Sequence, residues 1–151
     1  MRWITRERAM VDRIACPWLI KNFVDPKAEF FFVSQAEVMS KAEELDAIPF
    51  DVAGAELNHY LENGEEHSSF DAIIKKYNLS DPTLSMVARI VRGADTKTTS
   101  PPLESYGLKA LATGFRIIAK NDHENMMLQF PAYDALYAFC KTNLESGNKR
   151  T

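Results

Sequence analysis

Residues 29–53 read EFFFVSQAEVMSKAEELDAIPFDVA. Glu29 to Val33 is an aromatic run closed by Ser34, which predicts a strand. Ser34 followed by Glu37 has the spacing of a capping box, and Val38, Met39, Ala42 and Leu45 carry a helical repeat to Asp46. Pro49 to Ala53 then predicts a further strand. Working backward, Trp3 to Thr5 reads as a strand and the apolar stretch Cys16 to Val24 as a helix, which gives strand, helix, strand. Working forward, Ser69–Tyr77, Pro82–Asp95, Leu103–Lys120 and Asp122–Asn143 are helical by period, with Asp81 as N-cap and Pro82 at the first helical position. Lys97 to Pro102 breaks two of these helices apart. The expectation is an α+β fold: one domain over residues 1–151, with a small sheet of about three strands and a predominantly helical second half.

Composition narrows the function classes. The chain has 151 residues, 46% hydrophobic and 26% charged, a globular balance with enough length for a sizeable core. Eighteen Lys and Arg against 21 Asp and Glu leave a net charge of -3, so no whole-surface field would hold a polyanion. The longest apolar runs are interrupted by charges and fall far short of the roughly 20 residues a membrane span needs. Residues 1–13 contain Arg2, Arg6, Glu7, Arg8, Asp12 and Arg13 rather than the apolar core of a secretory signal. A cytoplasmic protein that does not enter the membrane is expected. Cys16 and Cys140 have no CxxC partner, and reduced thiols are the default.

Several polar residues fall where a core should be. Leu84, Val87, Ala88 and Val91 share one stripe of the Pro82–Asp95 helix, with Asp95 inside it, Arg92 on its edge and Arg89 toward solvent. An acid on that face needs a partner or a polar cavity; the alternative is that Asp95 opens the following loop as an Asx-turn. In the last helix, His123, Met127, Phe130, Asp134 and Tyr137 project onto one stripe, provided Pro131 does not redirect the chain. His123 and Asp134 lie about 16 Å apart along such a helix, too far for one ion. Asp122 then reads as the N-cap and His123 as the site candidate. Glu56 and His59 face the same way if Ala55–Leu61 is a helix and opposite ways if it is a strand, so an exposed pair competes with a shared metal. His67 reads as an exposed turn residue. Cys16 before Pro17 would sit at a helix N-terminus with a lowered pKa, or else be an inert core thiol. Arg13 is either a structural anchor or a fork for an oxyanion or carboxylate.

The blocks Val11–Ile20, Phe23–Pro26, Phe50–Val52, Gly54–Glu56, His59, Ser69–Asp71, Ile90–Asp95, Asp122–His123 and Tyr133–Ala138 together resemble the bacterial chromate-resistance protein family, in its C-terminal domain. The resemblance covers nearly the whole chain and implies a role in chromate sensing or tolerance. Some members look like regulators with a further N-terminal region of nucleic-acid function; this chain opens at the domain itself, so no direct nucleic-acid contact by this polypeptide is expected. Where relatives often carry a cysteine after the His59-like position, this chain has Ser68, which favours oxygen and imidazole ligands.

The expected function is therefore a ligand-binding module. Glu56, His59, Asp95 and His123 would hold a divalent ion such as Zn, Fe or Mn, and Arg13, Arg92 and Cys16 would meet a small oxyanion such as chromate. Catalytic residues are not assigned, and a homo-oligomer is left open. The alternative is a metal-dependent redox or hydrolytic enzyme acting on a small substrate, and a third reading keeps every inward polar group as a fold determinant.

Overall fold

A computed structural model describes residues 1–147. Strand β1 (Arg2–Arg6) lies between β2 (Glu29–Val33) and β3 (Ala47–Pro49), and both pairings are parallel. Parallel neighbours require crossovers. Helix α1 (Asp12–Phe23) supplies the first, and a 3-10 turn (Gln35–Glu37) with helix α2 (Val38–Leu45) supplies the second. An antiparallel hairpin, β4 (Tyr60–Glu62) and β5 (Glu65–His67), follows, and then helices α3 (Ser69–Lys76), α4 (Pro82–Asp95), α5 (Leu103–Ile118) and α6 (Asp122–Glu145). This is the expected α+β arrangement, a small sheet followed by a helical second half.

Helix α1 is the centre of the main core. Ile14, Ala15, Cys16, Pro17, Trp18, Leu19 and Ile20 are all buried, so it is covered on every side, as a helix apolar all round must be. Trp3, Phe50, Phe70, Ile73, Leu84, Val87, Val91 and Tyr133 close around it. At Gly93 an added Cβ would stand 2.3 Å from Ser105 Oγ, so glycine lets α5 press against α4 while Ser105 donates to the Ile90 carbonyl at 2.7 Å. Asp81 caps α4 by accepting from the Thr83 amide at 2.8 Å, with Pro82 next in the helix. No helix among the described residues is long and apolar enough to cross a membrane.

Local departures from expectation have physical causes. The third strand ends at Pro49 instead of running to Ala53, because Asp51 turns the chain with a left-handed φ of 52°, a conformation Asp tolerates better than most residues. Ser34 does not cap a backbone amide; its hydroxyl bonds the Glu37 carboxylate at 2.6 Å, and the turn is 3-10 before it is α. The capping box belongs to Ser68 and Asp71 at the start of α3. Helix α1 starts at Asp12 and carries Pro17 in its interior, so Cys16 does not stand at the helix N-terminus. In α6 the helix runs through Pro131, and its buried positions are Asn125, Gln129, Tyr133 and Cys140 rather than the stripe from His123. Asn125 and Gln129 can face inward because Gln129 donates to Asn125 Oδ1 at 2.6 Å and Asn125 donates to the Ala9 carbonyl at 3.2 Å. Asn121, not Asp122, caps that helix.

Candidate metal centre

The carboxyl ends of parallel strands are where an open sheet of this kind leaves room for a ligand. Here the chain turns at Asp51, just beyond β3, while Asp12 opens α1 after β1. Helix α4 ends at Asp95, and the loop entering β4 brings His59. One donor atom from each of these four residues lies within 4.8 Å of all the others.

His59 is the hub. Its Nε2 stands 2.9 Å from Asp95 Oδ2, 3.2 Å from Asp12 Oδ2 and 3.3 Å from Asp51 Oδ1. Its Nδ1 faces Glu66 of β5 at 3.4 Å, so the hairpin fixes which nitrogen looks inward. A carboxylate behind the imidazole is the usual outer support of a histidine that ligates a metal. The first turn of α3 adds two donors: the Ser69 amide to Asp12 Oδ2 and the Ser69 hydroxyl to Asp51 Oδ1, both at 2.7 Å. Arg13 and Arg6 each reach Asp51 Oδ2 at 3.3 Å, and Arg6 also donates to the Asp51 carbonyl.

Charge is concentrated here. Asp12 is 1% exposed and its Oδ1 has no hydrogen-bond partner among the described residues. Burial, and next the charge of Asp95, push its carboxyl well above the usual range. Burial pushes Asp51 the same way, but hydrogen bonds from His59 and Ser69 and the Arg13 charge outweigh it, and its pKa falls. Hydrogen bonds to Asp12, Asp51 and Asp95 raise the His59 pKa strongly, against the opposing effect of burial, so the imidazole holds its proton. An unpaired buried carboxylate oxygen is costly. A divalent cation that takes the place of the His59 proton would draw these carboxylates together.

The donor set fits such an ion. Three carboxylates and one imidazole form a hard-to-borderline site suited to Mn, Fe or Zn. Donors at about 2.0–2.2 Å from a shared ion stand no more than about 4.4 Å apart, and the three carboxylate oxygens stand 2.9–3.3 Å from His59 Nε2.

The residues expected from the sequence are distributed differently. His59 and Asp95 are in the cluster. Glu56 is exposed and pairs with Lys76 at 2.8 Å, because residues 55–59 form a loop with one bridge from Leu57 to Phe50, and only Tyr60 and Leu61 of the expected helix or strand are in β4. His123 lies edge-on to the Phe32 ring, 5.3 Å between centroids. Arg13 borders the cluster. Arg92 gives its fork to Asp71 at 3.0 and 2.8 Å, and its pKa rises with that bond. Cys16 is wholly buried; burial, then the Asp12 charge, push its thiol well up, so it is not a thiolate donor. His67 is a strand residue stacked on Tyr60, not an exposed turn.

Asp12 and Asp51 were not singled out as ligands. Asp12 reads as half of an adjacent pair with Arg13, and only its place inside the apolar run Val11–Ile20 marks it. Asp51, between Phe50 and Val52, carries the same kind of mark.

The chain matches the ChrB, C-terminal domain family over residues 3–140. It belongs to that family. It is 31% identical over 152 aligned positions to Protein ChrB of Cupriavidus metallidurans, an alignment that takes in 99% of this chain and 42% of that protein. The chain thus spans about two fifths of the length of the curated relative it matches. No solved structure matches it.

Proposed function

We propose that this domain binds one divalent metal ion through Asp12, Asp51, Asp95 and Nε2 of His59, and that metal binding is its contribution to chromate resistance. The observation that carries the reading is the convergence of one donor atom each from Asp12, Asp51, His59 and Asp95 within 4.8 Å of one another. When bound, the ion supplies positive charge and open coordination positions. The chain's own residues do the rest. Glu66 holds the Nδ1 side of the imidazole, Ser69 orients two carboxylates, and Arg13 and Arg6 keep Asp51 ionised.

The same charges bear on the expected oxyanion partner. The cations at this cluster are already paired with its carboxylates, so an oxyanion such as chromate would meet it as a ligand of the bound cation. Arg92, already forked onto Asp71, does not offer a second anchor.

Titration of metal-free protein with Mn²⁺, Fe²⁺ and Zn²⁺ by calorimetry, with elemental analysis after dialysis, tests the reading. One ion per chain is expected, with loss in Asp12→Asn and Asp95→Asn variants that remain folded. Binding that is unchanged in both folded variants overturns it.

A second reading, a metal-dependent enzyme acting on a small substrate by redox or hydrolysis, is favoured by the partial exposure of His59 and Asp95 at the mouth of the cluster, 26% and 17% of their side chains. Multiple turnovers on such a substrate by metal-loaded protein, lost on chelation, would select this reading over simple binding.

A further inference from the structure

A second cluster, opposite in charge, stands at the junction of α5 and α6. Arg8, Arg116 and Lys120 line a cavity of about 110 Å³ together with Asn121, Asp122 and Asn125. That volume holds roughly three to four waters at their liquid density, or one small polyatomic ion. We propose that this cavity binds a small tetrahedral oxyanion of the phosphate and sulfate class, independently of the metal centre.

The cations here differ from the other basic residues that flank acids. Arg6 and Arg13 pair with Asp51, Arg92 with Asp71, and Lys75 and Lys76 with glutamates. Among the described residues the side chains of Arg8, Arg116 and Lys120 make no ion pair. Arg116 Nε is in addition shut off from water with no hydrogen-bond partner. The planar guanidinium forks of Arg8 and Arg116 suit an oxyanion.

The one acid in the lining does not neutralise the cavity. Both oxygens of Asp122 are engaged by backbone amides, Oδ2 by Arg8 at 3.0 Å and Oδ1 by Ala9 at 2.7 Å. Three positive charges against one negative leave a net positive pocket. It opens on the first turn of α6, a helix of 24 residues, where the backbone dipole also favours an anion. The backbone at Arg8 is held in place before any ligand arrives. Arg8 has a left-handed φ of 59°, its amide is tied to Asp122, and its carbonyl accepts from Arg13 Nη2 at 3.1 Å. A long polyanion is disfavoured by the negative charge of the whole chain, and the small volume selects a free ion.

The test is a titration of the full chain, metal-free and at constant ionic strength, with inorganic phosphate and then sulfate in a chloride background. Amide chemical shifts and calorimetry are the readouts. Saturable binding that shifts the amides of Arg8 and of the first turn of α6 is expected, with affinity about tenfold or more weaker in R116Q and in K120Q and unchanged in D95N. Should R116Q fail to fold, K120Q and the shift map of the unaltered protein decide. Shifts that do not saturate above chloride, or affinities in folded K120Q and R116Q equal to that of the unaltered protein, would overturn the proposal.

Discussion

Two constellations of acids share the same pair of helix ends and differ in balance. At the start of α3, Ser68 serves one and Ser69 the other; at the end of α4, Arg92 serves one and Asp95 the other. In the first, Asp71 receives the Arg92 fork, the Ser68 hydroxyl and the Ser68 amide, so one negative charge meets one positive charge with its acceptors filled. In the second, Asp12, Asp51 and Asp95 meet on one imidazole, and an oxygen of Asp12 is left over. Residues one and three positions apart on the same elements thus do different work. A closed pair fixes the packing of α3 on α4, whereas the open cluster holds three carboxylates on one imidazole and leaves one carboxylate oxygen without a partner among the described residues.

The largest effect that would break this contrast is on metal affinity. Asp12→Asn and Asp51→Asn should each weaken binding by more than about 100-fold, since even outer partners of a metal site carry 10–100-fold; calorimetry on folded variants measures it. If Asp71→Asn has the same effect, the two constellations are not distinct.

Stability should show the reverse pattern. Arg92→Leu leaves the buried Asp71 carboxylate uncompensated and should cost about 2–3 kcal/mol, less than the fully buried case because Arg92 is partly exposed. Urea unfolding checks this, and metal stoichiometry should be unaltered in the variant that remains folded.

Proton linkage sharpens the difference further. The folded His59 pKa is raised, so the stability from its pairing is fully present below the ordinary imidazole value and is lost as pH rises through the higher folded value, into the alkaline range. Metal-free protein should therefore lose this contribution only in alkali. Because the ion needs the lone pair of Nε2, binding at neutral pH should release about one proton from His59, measured from the buffer dependence of the calorimetric heat. A heat independent of buffer ionisation enthalpy would contradict the assignment.

The smallest effects belong to residues outside both groups. Glu56→Ala breaks an exposed pair with Lys76 and should change stability by less than about 1 kcal/mol. It should leave metal affinity as it was, and His123→Ala should do the same.

Much of the architecture was legible because it rests on local chemistry. Asp81-Pro82 announces α4, the aromatic run at Glu29–Val33 announces β2, and the stripe of α4 places Asp95 inward with Arg92 beside it. The candidate site was legible only in part. Asp12 and Asp95 belong to helices far apart in the chain, and spacing carries no record of which helix ends will meet. Glu56 and His59 share a face only in a helix, and residues 55–59 form a loop instead. The inward face of α6 escapes periodicity for a related reason: Asn125 and Gln129 count as polar in any pattern, yet the bond from Gln129 to Asn125 and that from Asn125 to the Ala9 carbonyl let them be buried. An acid inside an apolar run, as with Asp12 in Val11–Ile20, was the available signal.

The most direct test follows the His59 ring nitrogens by long-range ¹H–¹⁵N correlation while metal-free protein is titrated with Zn²⁺. A metal centre at these residues predicts a doubly protonated ring at neutral pH that converts, with one equivalent, to a ring with Nε2 on the metal and Nδ1 still protonated toward Glu66. A ring that stays doubly protonated beyond several equivalents would contradict it.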